Sequence, residues 1–151
     1  MPGKVTQPTP SGPAADFGWA LGVVQRAFHD ALTPVLDDVP HGPRGFHILR
    51  TVVREDRPDQ QSLAAHLGID RSVMTYGVAD LVTAGLVERR ANPTDRRQRK
   101  VEATEEGRRR LAELERRVEQ AEDAVLAALN AEERATLCTL IRRVAASHEL
   151  A

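Results

Sequence analysis

Two short segments in the middle of the chain, each with a start and a stop signal, most constrain the fold. Asp59 suits the N-cap of one helix, and Gly68 suits the left-handed position at which that helix ends. Asp70 can cap the next helix, residues 71–84, which Gly85 closes. Two capped helices separated by one glycine and one apolar residue predict a helix-turn-helix.

The second of these helices divides into an apolar side and a polar side. Helical periodicity places Met74, Val78 and Leu81 together, and this side is predicted to face the core. The opposite side is predicted to face outward, where it can meet another molecule. It carries Ser72, Thr75, Tyr76, Ala79 and Thr83.

A basic hairpin follows the helix-turn-helix. Residues 86–91 and 98–103 have the pattern of strands, and residues 92–95 supply turn chemistry. Between Glu88 and Lys100 six basic residues stand against two acidic ones, although the whole chain carries a net charge of −1. Local charge governs attraction to phosphates. A basic run is also typical of a solvated surface, but its place after a helix-turn-helix predicts a wing that lies beside a DNA groove.

Helical patterns precede this module. An apolar stripe over residues 17–35 predicts a first helix, which Pro34 should end, and Pro43 suits the first turn of the second helix. Before them, residues 1–13 contain four prolines and two glycines. This composition predicts a disordered N-terminal arm.

Two further helices are predicted after the hairpin. Thr104 can cap a long helix whose apolar residues alternate at three and four positions over residues 111–128. Asn130 and Glu133 form the pattern of a capping box at the start of a last helix. The long apolar seam predicts contact between two copies of the chain, hence a homodimer, with packing on the first helix of the same chain as the alternative.

Together these elements predict a mostly α fold with a small β-hairpin wing. A winged helix-turn-helix domain would cover residues 43–104, and residues 14–38 and 105–151 would form a helical dimerisation region. The length of 151 residues and the hydrophobic content of 41% suit a globular protein. Because no apolar run reaches the length of a membrane span and the N-terminus lacks the core of a signal peptide, we expect a soluble cytoplasmic protein without membrane contact.

No arrangement of side chains in the sequence indicates catalysis. The five histidines lack the spacing of metal ligands, and the chain has no glycine-rich phosphate loop. We therefore expect a protein that is not an enzyme and that needs no metal or other cofactor. The single cysteine, Cys138, is predicted to be a buried, inert thiol on the apolar side of the last helix, with redox sensing as the alternative.

The chain resembles the multiple antibiotic resistance regulator (MarR) family of bacterial transcription factors in four segments: LAAHLGIDRSVMT, GLVERR, DRR and ATEEG. The resemblance covers residues 16–150. It implies a homodimer whose first, fifth and sixth helices interlock, a palindromic double-stranded DNA operator, and repression that a small ligand or an oxidant relieves. The alternative is a winged-helix module for protein contacts, which would not need so basic a wing.

The resemblance also assigns DNA contacts, with residues 71–84 as recognition helix and residues 86–103 as wing. The family's Asp-x-Arg wing motif falls on Asp95 and Arg97, where a carboxylate would orient a guanidinium for entry into the minor groove. A simple turn residue is the alternative for Asp95. The residues expected to contact DNA are Arg71, Ser72, Thr75 and Tyr76 on the helix and Asp95, Arg96, Arg97, Arg99 and Lys100 on the wing.

Three positions of the recognition helix depart from the family pattern. Tyr76 and Gly77 stand where a basic and an apolar residue are frequent, and Asp80 stands where arginine is common. A glycine inside a helix costs about 1 kcal/mol relative to alanine. Because a carboxylate facing DNA would repel phosphates, Asp80 is expected to pair internally with a neighbouring arginine.

The resemblance implies a small aromatic or phenolic ligand as well. Family ligands, often phenolic acids, lie between the dimerisation helices and the winged domain. An arginine could pair with a carboxylate of such a ligand, and aromatic side chains could cover its ring. The candidate residues are Trp19, Phe28, His41, Arg44 and His47.

Overall fold

The computed structural model describes residues 16–55 and 59–149. Within these ranges the chain forms six helices and one two-stranded antiparallel sheet, which confirms the predicted mostly α fold with a hairpin wing. The predicted disordered arm, residues 1–13, lies outside the described residues. The elements in chain order are α1 (Phe17–Leu32), α2 (Pro43–Arg54), α3 (Gln60–Leu67), α4 (Arg71–Thr83), β1 (Val87–Ala91), β2 (Arg99–Ala103), α5 (Glu105–Val125) and α6 (Ala131–Glu149).

The helix-turn-helix forms at the predicted capping residues. Asp59 Oδ1 accepts a hydrogen bond from Ser62 N at 2.7 Å, and Asp70 Oδ1 accepts one from Ser72 N at 2.8 Å. Gly68 ends α3 with a φ of 62°, in the left-handed region that favours glycine. The predicted start and stop signals of α3, and the predicted start of α4, are therefore confirmed.

The predicted starts of the last two helices are confirmed as well. Thr104 Oγ1 accepts a hydrogen bond from the backbone amide of Gly107 at 3.0 Å. Asn130 and Glu133 exchange side-chain–backbone hydrogen bonds, both of 2.9 Å. Residues 126–128, however, form a turn rather than the predicted last turn of α5, because the capping box starts a new helix directly after them.

The chain divides into two compact units. The winged unit, Leu32–Glu122, contains α2, α3, α4, the hairpin and most of α5. In the hairpin, Val87 pairs with Ala103 and Ala91 with Arg99, so each strand is one residue shorter than predicted. The core of this unit consists of fully buried apolar side chains, among them Leu36, Ile48, Leu49, Leu63, Met74 and Leu81.

The apolar stripe of α5 is covered by its own chain. Leu111, Leu114 and Val118 are all buried, with at most 8% of each residue exposed. The same helix is tied to α2 by the pair of Glu115 with Arg54, at 2.7 Å. The prediction that this stripe forms a seam between two copies is therefore wrong for these residues, because side chains already buried within the single chain have no surface left for a partner.

The helical unit contains the described residues up to 31 and from 123 onward. Its two main helices, α1 and α6, leave large apolar side chains exposed by 36% to 77%. These side chains are Phe17, Trp19, Leu21, Val23, Val24, Leu140, Ile141 and Val144. Across the described ranges, no helix combines the length and the apolar character that crossing a membrane requires.

Candidate nucleic-acid interface

The outward side of α4 is the first part of the candidate interface. Met74, Val78 and Leu81 are fully buried, which confirms their predicted place in the core. The opposite side is open to solvent, as predicted, except that Ala79 is only partly exposed. Its exposed residues are Ser72, Thr75, Tyr76 and Thr83.

A glycine in the middle of α4 allows this helix to approach α2 closely. A Cβ atom at Gly77 would lie 2.9 Å from Ile48 Cδ1, which is closer than two carbon atoms normally come. The helix therefore gives up about 1 kcal/mol of helix propensity at this position and gains a closer contact with the core.

Thr75 connects α4 to two neighbouring elements. Its Oγ1 donates a hydrogen bond to Arg71 O at 2.9 Å and accepts one from Gln60 Nε2 of α3 at 2.8 Å. Its carbonyl oxygen accepts a bond of 3.4 Å from Arg89 Nη2 on β1. The Thr75 hydroxyl, expected to contact DNA, thus has its proton committed within the helix.

Asp80 is held by the segment that precedes α2. His41 Nε2 lies 2.7 Å from Asp80 Oδ2, a distance at which the ring nitrogen donates a hydrogen bond to the carboxylate. The expectation of an internal partner for Asp80 is confirmed, but the partner is a histidine rather than an arginine. His41 has a φ of 65°, in a region that residues other than glycine seldom adopt, and this conformation brings its ring to α4.

A buried asparagine shapes the tip of the wing. Asn92 is 7% exposed, and its Oδ1 accepts hydrogen bonds from Thr94 N at 3.1 Å and Thr94 Oγ1 at 2.8 Å. Its Nδ2 donates to Gln98 Oε1 at 3.2 Å, across the loop. These contacts satisfy the buried amide and fix the loop between the strands.

In the Asp-x-Arg motif, the hydrogen bond of the Asp95 side chain is to the backbone amide of Arg97 and not to its guanidinium. Asp95 Oδ1 accepts a hydrogen bond from Arg97 N at 3.0 Å, and Asp95 O accepts one from Gln98 N at 3.0 Å. The Asp95 carboxylate therefore shapes the turn, which is the alternative that the sequence left open. Arg97 itself is exposed.

Apart from Arg89, which donates to the Thr75 carbonyl, the wing cations fall into two groups. Arg90 pairs with Glu88 at 2.6 Å and with Glu102 at 3.3 Å, and the hydrogen bonds that Arg90 donates to Glu88 raise the pKa of Arg90 above its ordinary value. Its charge is thus matched by anions within the hairpin. The cations of the predicted set face solvent: Arg96, Arg97 and Arg99 are exposed and Lys100 is partly exposed.

A cationic cleft lies between the start of α3, the start of α4 and the wing. We use this name for a depression of about 340 Å³ lined by Arg71, Arg97 and Arg99. Its one acidic residue, Asp59, has a carboxylate that already caps α3. The other lining residues are Gln60, Gln61, Ala64, Met74, Thr75 and Gln98. Three guanidinium groups and three amide side chains make the cleft suitable for an anion such as a phosphate of a DNA strand.

Sequence reasoning did not identify Gln60, Arg89 or Asn92 as parts of this interface. Gln60 and Arg89 act through contacts with Thr75, which lies 15 and 14 residues away in the chain. A sequence pattern does not report such a contact. Asn92 was recognised only as a turn residue, although an asparagine before a proline in a hairpin loop is a signal for this kind of side-chain bonding.

The five candidate ligand residues are distributed over both units. Trp19 and Phe28 lie on α1 in the helical unit, where half of the Trp19 surface is exposed. The other three lie in the winged unit, at or just before the start of α2. They are His41, which pairs with Asp80, and Arg44 and His47, both of which are exposed.

The surroundings of the His47 ring lower its pKa. Its ring contacts the ring of Phe46 edge to face at a centroid distance of 5.5 Å. Although part of the residue is exposed, burial of the ring lowers the pKa of His47, and the charge of Arg50 adds to this effect. The neutral imidazole is therefore favoured.

The described residues form no metal site, and Cys138 is more exposed than predicted. In the described ranges, no group of His, Cys, Asp or Glu side chains is arranged to hold a metal ion. Cys138 is partly exposed beside a depression between Arg134 and Arg142, so the prediction of a buried thiol is wrong for the single chain. The reason is that the apolar side of α6 remains open, as the exposure of Ile141 shows.

Comparison with protein sequences finds similarity to bacterial transcriptional regulators in the region of the helix-turn-helix. A sequence model described as the MarR family matches residues 43–98, which contain the helix-turn-helix and the first part of the wing. A protein of Thauera aromatica, whose name describes it as a transcriptional regulatory protein for the hcr operon, is 31% identical over 102 residues. That match covers 68% of this chain and 61% of the relative. The chain thus spans about three-fifths of the length of the curated relatives it matches.

Solved structures are similar over most of the chain. A transcriptional regulator of the MarR family from Rhodococcus sp. RHA1 superimposes with a TM-score of 0.78 at 25% identity, covering 93% of this chain and 98% of that one. CouR from Rhodococcus jostii RHA1, solved with bound p-coumaroyl-CoA, superimposes with a TM-score of 0.77 at 26% identity, covering 93% of this chain and 96% of that one.

Proposed function

The chain belongs to the MarR family, and on this premise we propose that it is a transcriptional regulator that binds double-stranded DNA. The observation that carries the proposal is the cationic cleft, which lies in one unit with the exposed side of α4. In this arrangement α4 enters a major groove, the wing lies over the adjacent minor groove, and the backbone between the two grooves occupies the cleft. Phosphate contacts of this kind supply most of the affinity, and contacts to base edges supply the specificity.

The proposed DNA contacts follow from where each side chain lies. Arg97 is the cation best placed to enter the minor groove, since the turn that Asp95 holds presents it to solvent. Arg71 and Arg99 hold phosphates in the cleft, and exposed cations outside it hold neighbouring phosphates. The contacts that we carry over from the sequence are Arg71, Ser72, Thr75, Tyr76, Arg96, Arg97, Arg99 and Lys100, with Asp95 as the residue that positions the turn.

The wing supplies the test of this proposal. Arg97→Ala should weaken operator binding about tenfold, and Arg99→Ala should lower the slope of log affinity against log salt by about one. The matched control replaces Arg90 and Glu88 together by glutamine, which removes a paired cation with its anion and should change affinity less than twofold. The measurement is fluorescence anisotropy with a labelled duplex containing the promoter of the protein's own gene. If Arg97→Ala and the control variant change operator affinity by the same factor, the proposal that the wing contacts DNA is refuted.

We further propose that the active species is a homodimer that binds a palindrome. Its support is the set of large apolar side chains that α1 and α6 expose, which recur on each helix at intervals of three and four residues, as Phe17, Leu21 and Val24 do. An apolar stripe that is open to solvent is typical of an interface between proteins. Ile141→Glu should give a monomer in light scattering and abolish the advantage of a palindrome over a single half-site. Thr139→Glu, an exposed position on another side of α6, is the control and should leave the dimer intact. A wild-type monomer that binds one half-site tightly would contradict the proposal.

The regulator is proposed to be a repressor that a small aromatic or phenolic acid releases from DNA. CouR, similar over 93% of this chain, was solved with bound p-coumaroyl-CoA, and PcaV from Streptomyces coelicolor, 27% identical, was solved with its natural ligand. Arg44 and His47 lie three residues apart at the start of α2, so one helical turn presents a cation and an imidazole to an anionic ring. His41, just before the same helix, completes the proposed set within the winged unit. Trp19 and Phe28, on α1, stay predictions from the family resemblance.

Release is tested by adding aromatic acids to the protein–DNA complex. At saturation the effective acid should lower operator affinity about 100-fold, and Arg44→Ala should raise the concentration needed without changing operator affinity itself. Peroxide is added in a parallel series. If only peroxide releases the DNA and Cys138→Ser abolishes that release, the regulator responds to oxidation and the ligand proposal is refuted.

A further inference from the structure

The side of α4 that faces outward lacks the side chains that pair with purines. Residues 72–83 contain no arginine, lysine, asparagine or glutamine. These are the side chains that form two hydrogen bonds with guanine or adenine in the major groove. Arg71 stands at the first position of the helix, where it lines the cationic cleft. The centre of the helix must therefore distinguish bases by other means.

The two threonine hydroxyl groups on this side are turned back onto the helix. Thr75 Oγ1 donates to Arg71 O at 2.9 Å, and Thr83 Oγ1 donates to Ala79 O at 3.1 Å. A threonine whose hydroxyl proton is committed in this way retains its methyl group as the part it can offer to another molecule. The Asp80 carboxylate, which could accept a hydrogen bond from cytosine, is already bonded to His41.

Resting on the DNA-binding function proposed above, we infer that α4 recognises its site by apolar contact with the C5-methyl groups of thymines. The contacts come from the methyl groups of Thr75, Ala79 and Thr83, beside the exposed ring of Tyr76. The thymine methyl is the only apolar group that a base pair presents in the major groove, and alanine and threonine methyls are suitable partners for it. The partner is therefore a half-site whose major-groove centre is rich in thymine.

The spacing of the three methyl groups fits this partner. Residues 75, 79 and 83 follow one another at intervals of four and form one ridge along the helix. With a rise of about 1.5 Å per residue the ridge is about 12 Å long, which corresponds to three or four base pairs at about 3.4 Å each. One recognition helix can thus contact several consecutive thymines.

Uracil provides a direct test, because it differs from thymine only by the missing methyl group. The preferred duplex is first selected from a random library with the full-length wild-type protein. Each thymine of the half-site is then replaced by uracil, one at a time, and affinity is measured by anisotropy. Loss of one buried methyl contact should weaken binding about fourfold. Thymines outside the major-groove centre serve as controls and should tolerate the replacement.

Protein variants identify the contacting methyl groups. Thr75→Ser and Thr83→Ser keep the hydroxyl and its bond to the helix but remove the methyl, so each should abolish the uracil effect at one thymine. Thr83→Val keeps a methyl and removes the hydroxyl, and should bind as the wild type does. If the hydroxyl groups contact the bases instead, Thr83→Ser should bind the preferred duplex more tightly than Thr83→Val. That result would overturn the inference.

The outcomes separate this inference from the function on which it rests. If the library yields no preferred duplex and the protein binds none, the proposed DNA-binding function fails. If a duplex is preferred but uracil replaces every thymine without loss, or the selected centre is rich in G·C pairs, recognition of methyl groups is refuted while DNA binding stands. A preference of the wing for A·T pairs cannot imitate the expected result, because thymine and uracil have the same minor-groove edge.

Discussion

Gly107→Ala should destabilise the winged unit by about 4 kcal/mol, because it forces α5 away from the base of the wing. A Cβ atom at this position would lie 1.9 Å from Leu86 O and 2.9 Å from Leu86 C. Carbon and oxygen atoms in contact normally lie about 3.3 Å apart, so α5 and Leu86 would have to separate by about 1.4 Å.

The obstacle is backbone and cannot rotate out of the way. Leu86 N donates to Leu81 O at 3.0 Å, and Leu86 O accepts from Thr104 N at 3.1 Å, so the residue is fixed on both sides. Overpacking against such a neighbour costs about 3 kcal/mol, and loss of the Thr104 cap and of its backbone bond costs about 1 kcal/mol each. The better helix propensity of alanine offsets about 1 kcal/mol of this.

Gly77→Ala is the matched control, because it is the same substitution in a helix of the same unit. Its nearest obstacle, Ile48 Cδ1 at 2.9 Å, is the end of a side chain and has to move by only a few tenths of an ångström. The cost of that movement and the gain in helix propensity are both about 1 kcal/mol and oppose each other. We therefore expect Gly77→Ala to stay within about 1 kcal/mol of the wild type.

Both variants are measured by urea denaturation followed by circular dichroism. Protein concentration is held constant, since the stability of the proposed dimer would depend on it. The midpoint should fall clearly for Gly107→Ala and change little for Gly77→Ala, with unchanged slopes. If Gly107→Ala is no less stable than Gly77→Ala, the close approach of α5 to Leu86 does not exist in solution and the reasoning fails.

Three further predictions concern contacts in the winged unit. Asn92→Ala should weaken DNA binding without unfolding the protein, because it releases the wing loop; anisotropy and thermal melting measure the two effects, and unchanged affinity would contradict it. His41→Ala should weaken DNA binding by up to about fivefold, because it frees the Asp80 carboxylate near phosphates, and the added Asp80→Asn should restore it; a double variant no better than the single one would contradict this. Hydrogen bonding from Arg110 lowers the pKa of Asp38. The stability that the Asp38 carboxylate contributes is therefore present above the ordinary aspartate pKa of about 4 and is lost as the pH falls further. The stability of Asp38→Asn should fall less with decreasing pH than that of the wild type, and an equal fall in acid denaturation would contradict the assignment.

Local signals in the sequence were sufficient to predict the elements of the fold. Asp59, Gly68 and Asp70 act on atoms within a few residues of themselves, so their effect can be inferred without knowledge of the tertiary structure. The fold class follows, because capped helices and a hairpin in this order have few alternatives. Periodicity, in contrast, shows which side of a helix is apolar but not what covers it. For this reason the stripe of α5 was assigned to a partner, although the chain itself buries Leu111 and Leu114.

The candidate site was predictable in its residue types but not in its contacts. The surplus of arginine on the wing is visible in the sequence, yet the pairing of Arg90 with Glu88 and Glu102 depends on the register of the strands. The sequence predicts a neighbouring arginine as the partner of Asp80, whereas the actual partner, His41, lies 39 residues earlier in the chain. Such a contact depends on an unusual backbone conformation at His41, which the sequence does not signal.

The wing and the cleft are proposed to bind phosphates, whereas α4 is inferred to contact thymine methyl groups. This difference leads to a last prediction, which rests on that inference. Affinity that comes from the cations of the cleft falls steeply as salt increases, because bound counterions are released from the DNA. An apolar contact between methyl groups involves no such release. The affinity for the preferred duplex should therefore fall strongly between about 50 and 200 mM salt, while the ratio of affinities for the thymine and uracil duplexes stays constant. Anisotropy titrations of both duplexes at several salt concentrations measure this ratio. A ratio that declines toward one with increasing salt would show that charged groups, not methyl groups, distinguish the two duplexes.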